Sequence, residues 1–240
     1  MRPTLLLLHG FTHTGASWAQ VVGALGESYR ALTPDIRGHG SAADRQPVSL
    51  EAVLADLAEL APEQPITLVG YSMGGRIALH CALAMPERVR RLVLIGASPG
   101  LADPGERAAR RRADERLARE LEASTIEAFA RRWASTPVLA GLPPEALERA
   151  HADRLRNTPA GLARALRGLG TGALPALWGR LGELSMPVTL VVGERDRKFR
   201  AIAERMAPAI PRARLEVVAG AGHAVHLEAP RRLAALLTAV

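Results

Sequence analysis

Ile66-Thr67-Leu68-Val69-Gly70-Tyr71-Ser72-Met73-Gly74-Gly75-Arg76 is an apolar run that passes through a glycine-rich turn into the helical stretch Arg76 to Ala84. Gly70 to Gly74 spell G-x-S-x-G, and the strand–turn–helix setting is the one in which that pattern forms a nucleophile elbow. A serine in that turn sits on strained backbone with its hydroxyl projecting from the sheet, while the flanking glycines let neighbouring chain pass close by. The five letters alone describe no more than a tight turn. Their meaning depends on the strand and helix around them and on an acid and a histidine further along.

Working outward, short apolar runs at Thr4–Leu8, Tyr29–Thr33, Ile66–Val69 and Val89–Ile95 alternate with amphipathic stretches near Trp18–Leu25, Leu50–Leu60 and Arg76–Ala84. That rhythm predicts a parallel sheet with crossover helices. It resumes with strands at Val188–Val192 and Leu215–Val218, a helix around Ala201–Met206 and a terminal helix from about Arg231. Between Ser98 and about Leu184 the pattern changes to long Ala/Leu/Arg/Glu stretches, including Glu106–Leu121 and Thr125–Trp133, with breaks at Pro137, Pro143-Pro144 and Pro159. The expected organisation is an α/β core of residues 1–98 and 185–240 with a helical cap, 99–184, inserted over the carboxyl edge of a mostly parallel sheet, where ligands bind in such folds. The alternative is a helical flank that only thickens the core.

Apolar residues make up 48% of the 240, too many for a disordered chain and enough for a large core. The Leu5–Leu8 run is too short for a membrane span and suits a buried strand better than a signal peptide, so a cytoplasmic protein is expected. Cys81, the single cysteine, rules out an internal disulfide and reads as a small buried hydrophobe. The net charge of +7 comes almost wholly from arginine, Lys198 being the only lysine. Aromatics are 3% of residues, too few for a base-stacking surface, and the arginines are interspersed with acids, so nucleic acid is not an expected partner. No P-loop, dinucleotide fingerprint or H-E-x-x-H spacing is present, so neither a nucleotide cofactor nor a metal is expected. Oligomeric state stays open.

Serine chemistry needs a base within hydrogen-bond reach and a third group that fixes the tautomer of that base. Asp196 follows one late strand in Gly193-Glu194-Arg195-Asp196, and His223 follows the next in Gly220-Ala221-Gly222-His223. The order serine, acid, histidine is that of the α/β-hydrolase fold, so Ser72, Asp196 and His223 are the expected catalytic set. Glu194 reads better as a loop or surface acid, His226 as a residue shaping the site, and His9 and His39 as loop histidines bonding backbone. Oxyanion donors are expected in the backbone N–H groups of Met73 and Phe11.

With these residues in place, the chain closely resembles the 2-succinyl-6-hydroxy-2,4-cyclohexadiene-1-carboxylate synthases of menaquinone biosynthesis. The resemblance rests on Leu8-His9-Gly10-Phe11, Asp35-Ile36-Arg37-Gly38-His39-Gly40 and Gly70 to Arg76. More specific are Gly96 to Leu101, Glu106 to Arg110 with Asp114, Phe129 to Trp133, Arg154-Leu155, Leu166 to Gly172, Gly193 to Phe199 and Gly222 to Glu228. The stretch Leu139–His151 matches no distinctive segment. The resemblance implies a lyase that removes pyruvate from a small polycarboxylate substrate by 2,5-elimination. It further implies carboxylate recognition by Arg76, Arg110 and Arg154, with Tyr71 and Trp133 lining the pocket. Bidentate arginines suit such a ligand; the alternative is that Arg110 and its neighbours pair with acids such as Glu106 and Asp114. Rival functions are a serine carboxylesterase or C–C bond hydrolase with the same three residues and, more remotely, a non-enzymatic ligand-binding protein.

Overall fold

Leu5 and Leu7 face one hydrophobic layer and Leu6 and Leu8 another, because side chains alternate along a strand and this strand is covered on both sides. The computed structural model describes residues 2–61, 63–136 and 141–239. Six strands, β1 (Thr4–Leu8), β2 (Arg30–Leu32), β3 (Ile66–Tyr71), β4 (Val89–Ile95), β5 (Val188–Gly193) and β6 (Ala213–Val218), form one sheet in the order β2-β1-β3-β4-β5-β6. Every pairing is parallel. The strands fall where the apolar runs place them. β3 extends two residues beyond its expected end and so carries the backbone right up to Ser72.

The helices α1 (Ala19–Leu25), α2 (Leu50–Leu60) and α3 (Met73–Ala84) follow the first three strands. Between β4 and β5 come α4 (Pro104–Glu122), α5 (Ile126–Ala134), α6 (Pro144–Arg154) and α7 (Pro159–Leu169), and after β5 come α8 (Arg197–Met206), α9 (Val225–Glu228) and α10 (Pro230–Thr238). Residues of α2, α3 and α8 cover the Leu6/Leu8 face, while α1, α9 and α10 cover the other with Trp18. Cys81 lies in the first of these layers, and burial pushes its thiol up to about 12, so it packs as a small hydrophobe.

No strand occurs between residues 100 and 180 among the described residues. Three of the inserted helices, α4, α5 and α7, begin at side-chain caps: Asp103 accepts from the Glu106 N–H at 2.7 Å, Thr125 from Ala128 at 3.3 Å and Thr158 from Gly161 at 3.1 Å. Pro144 and Pro159 occupy first helical positions, where their missing N–H costs nothing, so these prolines open α6 and α7 rather than merely interrupting helix. The expected break at Pro137 lies outside the described residues. Ala118, Leu121, Phe129, Leu162, Ala163 and Leu166, from α4, α5 and α7, form a hydrophobic cluster of their own, against which Phe11 and Trp133 pack. α6 behaves differently. Its Ala146 and Ala150 join the core layer around Leu5, Leu7 and Trp18. The stretch Leu139–His151, which sequence left without a counterpart, is thus largely the approach to and body of this docked helix; Leu139 and Ala140 lie outside the described residues.

The elbow packs so tightly that a side chain cannot be added to it. A Cβ on Gly74 would stand 2.3 Å from the Leu8 carbonyl oxygen and 2.5 Å from that of His9, which are fixed by the sheet. Gly179, in the 3-10 turn Trp178–Glu183, has nothing within 4 Å of such an atom. Urea unfolding should therefore find Gly74→Ala destabilised by roughly 3 kcal/mol, and Gly179→Ala within about 0.5 kcal/mol of the parent.

Candidate active site

Ser72 joins β3 to α3 with φ 50° and ψ −107°, a conformation that non-glycine residues avoid. Its own N–H donates to the Ile95 carbonyl at 2.9 Å, tying the turn to β4. That geometry aims the hydroxyl at His223, whose Nε2 lies 3.2 Å from Ser72 Oγ. His223 Nδ1 lies 2.6 Å from Asp196 Oδ2. Asp196 caps α8, its other oxygen accepting from the Phe199 N–H at 3.3 Å, so the start of the helix fixes the carboxylate. The three side chains expected to meet form one hydrogen-bonded chain. The rival acid Glu194 instead accepts from the Gly220 N–H at 2.8 Å and makes no contact with His223.

Sequence gave no role to Glu228, yet it brackets His223. Its carboxylate accepts from Gly222 N–H at 2.8 Å and Ala224 N–H at 3.1 Å, one on each side of the histidine, and it pairs with Arg195 at 2.7 Å. The signal was the short spacing of a buried acid after Gly-His. Phe199 and Tyr71 flank the imidazole, with ring centroids 4.4 and 5.2 Å away.

Ser72 and His223 open into a cavity of about 230 Å³. Phe11, Leu117, Trp133, Leu166, Leu169 and Phe199 give it apolar walls, and Arg76, Arg110 and Lys198 give it positive charge. Trp133 is held edge-on to Phe11 and stacked on Phe129, both at 5.4 Å. Arg76 is buried, and its side chain has no hydrogen-bond or ion-pair partner among the described residues. Burial, aided by the neighbouring charge of Arg110 and opposed by Asp114, pushes its guanidinium down to about 10. Arg110 bonds Asp114 Oδ1 at 2.7 Å, as the pairing alternative expects, and also lines the cavity. Lys198 had no assigned role; its place two residues after the acid was the available clue.

Arg154 and Tyr71 do not line this cavity. Arg154 is wholly buried behind the Phe11 loop, with Nε 3.4 Å from Thr12 Oγ1 and both terminal nitrogens unpartnered among the described residues. Burial lowers its pKa against the opposing pull of Tyr71 and Asp153. The Tyr71 ring lies 4.3 Å from that of His226, which burial keeps neutral. His9 bonds backbone as expected, Nδ1 lying 2.9 Å from the Gly10 carbonyl and Nε2 accepting from Ile36 N–H at 2.9 Å; burial holds it at about 4. His39 Nδ1 lies 3.4 Å from the Arg37 carbonyl. The backbone N–H groups of Phe11 and Met73 have no acceptor among the described residues, and both residues line the cavity with Ser72.

A larger cleft, about 770 Å³, lies beside Asp35 and Arg156. Two of its three hydroxyls, those of Thr14 and Ser41, are committed to Asp153 and Asp35, and no imidazole lines it, whereas the smaller cavity has both Ser72 and His223 in its wall. Among the described residues no cluster of His, Cys, Asp or Glu is arranged to hold a metal ion, and no helix is long and apolar enough to cross a membrane.

An unpaired buried guanidinium costs stability that only an anion recovers. Arg76→Met should therefore raise the thermal midpoint by about 2–4 °C, as expected for roughly 1 kcal/mol in a chain of this size. Calorimetry with added succinate should show stabilisation of the parent and none of the variant.

Residues 5–236 match the family model described as "Alpha/beta hydrolase family". A protein of Bacillus subtilis (strain 168), provisionally named a 2-succinyl-6-hydroxy-2,4-cyclohexadiene-1-carboxylate synthase, is 39% identical over 95% of this chain and 86% of its own. The synthase of that name from Enterobacter sp. (strain 638) is 34% identical over 99% of this chain and 91% of its own. The solved structure of MenH from S. aureus superposes with a TM-score of 0.93 at 31% identity, covering 98% of this chain and 91% of that one. The chain belongs to the alpha/beta hydrolase family and, within it, to the 2-succinyl-6-hydroxy-2,4-cyclohexadiene-1-carboxylate synthase group.

Proposed function

We propose that this protein eliminates pyruvate from 2-succinyl-5-enolpyruvyl-6-hydroxy-3-cyclohexene-1-carboxylate, giving 2-succinyl-6-hydroxy-2,4-cyclohexadiene-1-carboxylate in menaquinone biosynthesis. Beyond the family membership, one observation carries the reading: the cavity in front of Ser72 holds an unpaired buried arginine, Arg76, one helical turn past the serine, beside Arg110 and Lys198. A neutral ester would leave those charges desolvated and unmatched, whereas a substrate with several carboxylates matches them with charge-assisted hydrogen bonds.

In this proposal His223, oriented by Asp196, takes the proton from Ser72 Oγ, and the serine oxygen acts as a base rather than a nucleophile. It removes a ring proton; the C–H electron pair becomes part of the new diene. The bond from the ring to the enolpyruvyl oxygen breaks at the far end of the conjugated system. Enolpyruvate departs and takes up a proton to become pyruvate. The Phe11 and Met73 N–H groups would stabilise negative charge developing on oxygen. Arg76 and Arg110 would hold carboxylates, with Trp133 as an apolar wall. Arg154 and Tyr71 belong to the same proposal: the two unpartnered nitrogens of Arg154 are acceptor-seeking, and reaching them requires the cavity to extend past Tyr71. Helices α4–α7 act here as the cap, residues 99–184, over a core of 1–98 and 185–240. The reaction involves soluble metabolites and suits a cytoplasmic monomer or oligomer with no nucleic-acid, membrane or cofactor requirement.

The test is to supply freshly made enolpyruvyl substrate, correct for its spontaneous breakdown, and follow pyruvate and diene absorbance together. The expected result is enzyme-accelerated, equimolar release. Fast hydrolysis of simple esters with hydroxylamine capture, and no acceleration of pyruvate release, would make the protein a serine esterase. Ser72→Ala should abolish nearly all turnover without unfolding the chain, and Asp196→Asn should lower kcat by roughly 10³–10⁴-fold because the imidazole is left in the wrong tautomer. Arg76→Ala should lower kcat/KM by about 10²-fold, with Arg76→Lys recovering only part.

A further inference from the structure

Thr12 has φ 70°; it and Ser72 are the non-glycine residues with positive φ among the described residues. For a β-branched residue this is a marked outlier. The cause is the turn it occupies. His13 N–H donates to the Gly10 carbonyl at 3.1 Å, closing a four-residue turn in which Thr12 stands third, the position where a type II turn demands positive φ and favours glycine. His9 Nδ1 reaches the same carbonyl at 2.9 Å. In a trans peptide the C=O and the following N–H point opposite ways, so holding the Gly10 oxygen against His9 and His13 turns the Phe11 N–H away from them, and Phe11 lines the cavity beside Ser72.

Something must hold a threonine in that conformation, and it comes from the far end of α6. Asn157 Nδ2 donates to the Thr12 carbonyl at 2.9 Å, and its Oδ1 accepts from Gly40 N–H at 3.1 Å. Asp153 accepts from Thr14 N–H and lies against His13 Nδ1, both at 3.0 Å, and also bonds the Thr14 hydroxyl. Arg154 Nε reaches the Thr12 hydroxyl. All of these side chains are buried, so the bonds are shielded from water. Three consecutive residues, 12 to 14, are gripped by residues some 140 positions away in sequence.

We infer that Asp153 and Asn157 are positioning residues: they clamp the Gly10–His13 turn in its strained form and thereby aim the Phe11 N–H at the reacting oxygen. This rests on the proposed use of that N–H. It gives the docking of α6 on the main core a catalytic purpose, since a helix that moved with α4, α5 and α7 would move the donor with it.

The test is steady-state pyruvate release with thermal unfolding measured on the same preparations. Asn157→Ala should lower kcat at least tenfold with KM within about threefold, because a misdirected oxyanion donor acts on the transition state. Thr12→Gly introduced into that variant should restore most of kcat, since glycine adopts the turn without a clamp; a merely structural role predicts no such rescue. Should Asn157→Ala fail to fold, Asp153→Asn, which keeps size and weakens the bonds to residues 13 and 14 together with a long ion pair to Arg156 at 4.0 Å, is read the same way. Folded variants with unchanged kcat, or a loss that Thr12→Gly leaves untouched, would overturn the clamp. Parent enzyme that fails to accelerate pyruvate release would strike the functional proposal instead.

Discussion

The structure depends on one residue being held where serine does not choose to be. Ser72 sits at positive φ between the end of β3 and the first turn of α3, a conformation that costs roughly 1–3 kcal/mol. It persists because both sides of the turn are immovable. β3 is buried along its whole length between β1 and β4, and α3 is pressed so closely on β1 that only glycine fits at position 74. The continuous apolar runs of the strands build the sheet, the sheet enforces the turn, and the turn projects the hydroxyl toward His223. Asp196 and His223 reach it because β5 and β6 are parallel to β3 and end at the same edge.

Much of this was legible in the sequence because it follows local rules. The short apolar runs located all six strands, the G-x-S-x-G turn located the serine, and the position of Asp196 and His223 just past late strands predicted their convergence. The proline-opened helices were harder to read. Pro144 and Pro159 look like breaks until the helix start is placed on them. What stayed illegible depends on contacts distant in sequence. Nothing local in Glu228 says that it will bond the backbone on both sides of His223, and nothing in Asn157 says that it will meet Thr12. For the arginines, residue type alone leaves pairing and ligand binding equally open. Among the described residues the structure gives Arg110 an acid and leaves Arg76 without one.

The charge of the site and its stability pull in opposite directions. Among the described residues Arg76 and the tips of Arg154 are buried without partners, and His226 and His39 are held neutral by burial, with both ring nitrogens of His226 and Nε2 of His39 unbonded. Each such group makes the folded chain less stable than an apolar core would. Of these groups Arg76 lines the cavity beside Ser72, while surface arginines such as Arg167 and Arg180 have acidic partners; in the proposed reading its buried charge is stability given up for function. In the proposed reading an anionic substrate would reverse part of that deficit on binding, which would link affinity and stability through the same guanidinium groups.

The central claim is that Ser72 serves as a base in an elimination and never becomes acylated. Rapid-quench mass spectrometry of the intact protein during turnover of the enolpyruvyl substrate tests it most directly. The account predicts unmodified protein mass at every time point while pyruvate accumulates from the first turnover. A transient adduct that maps to Ser72, forming and decaying at rates that match turnover, would contradict it.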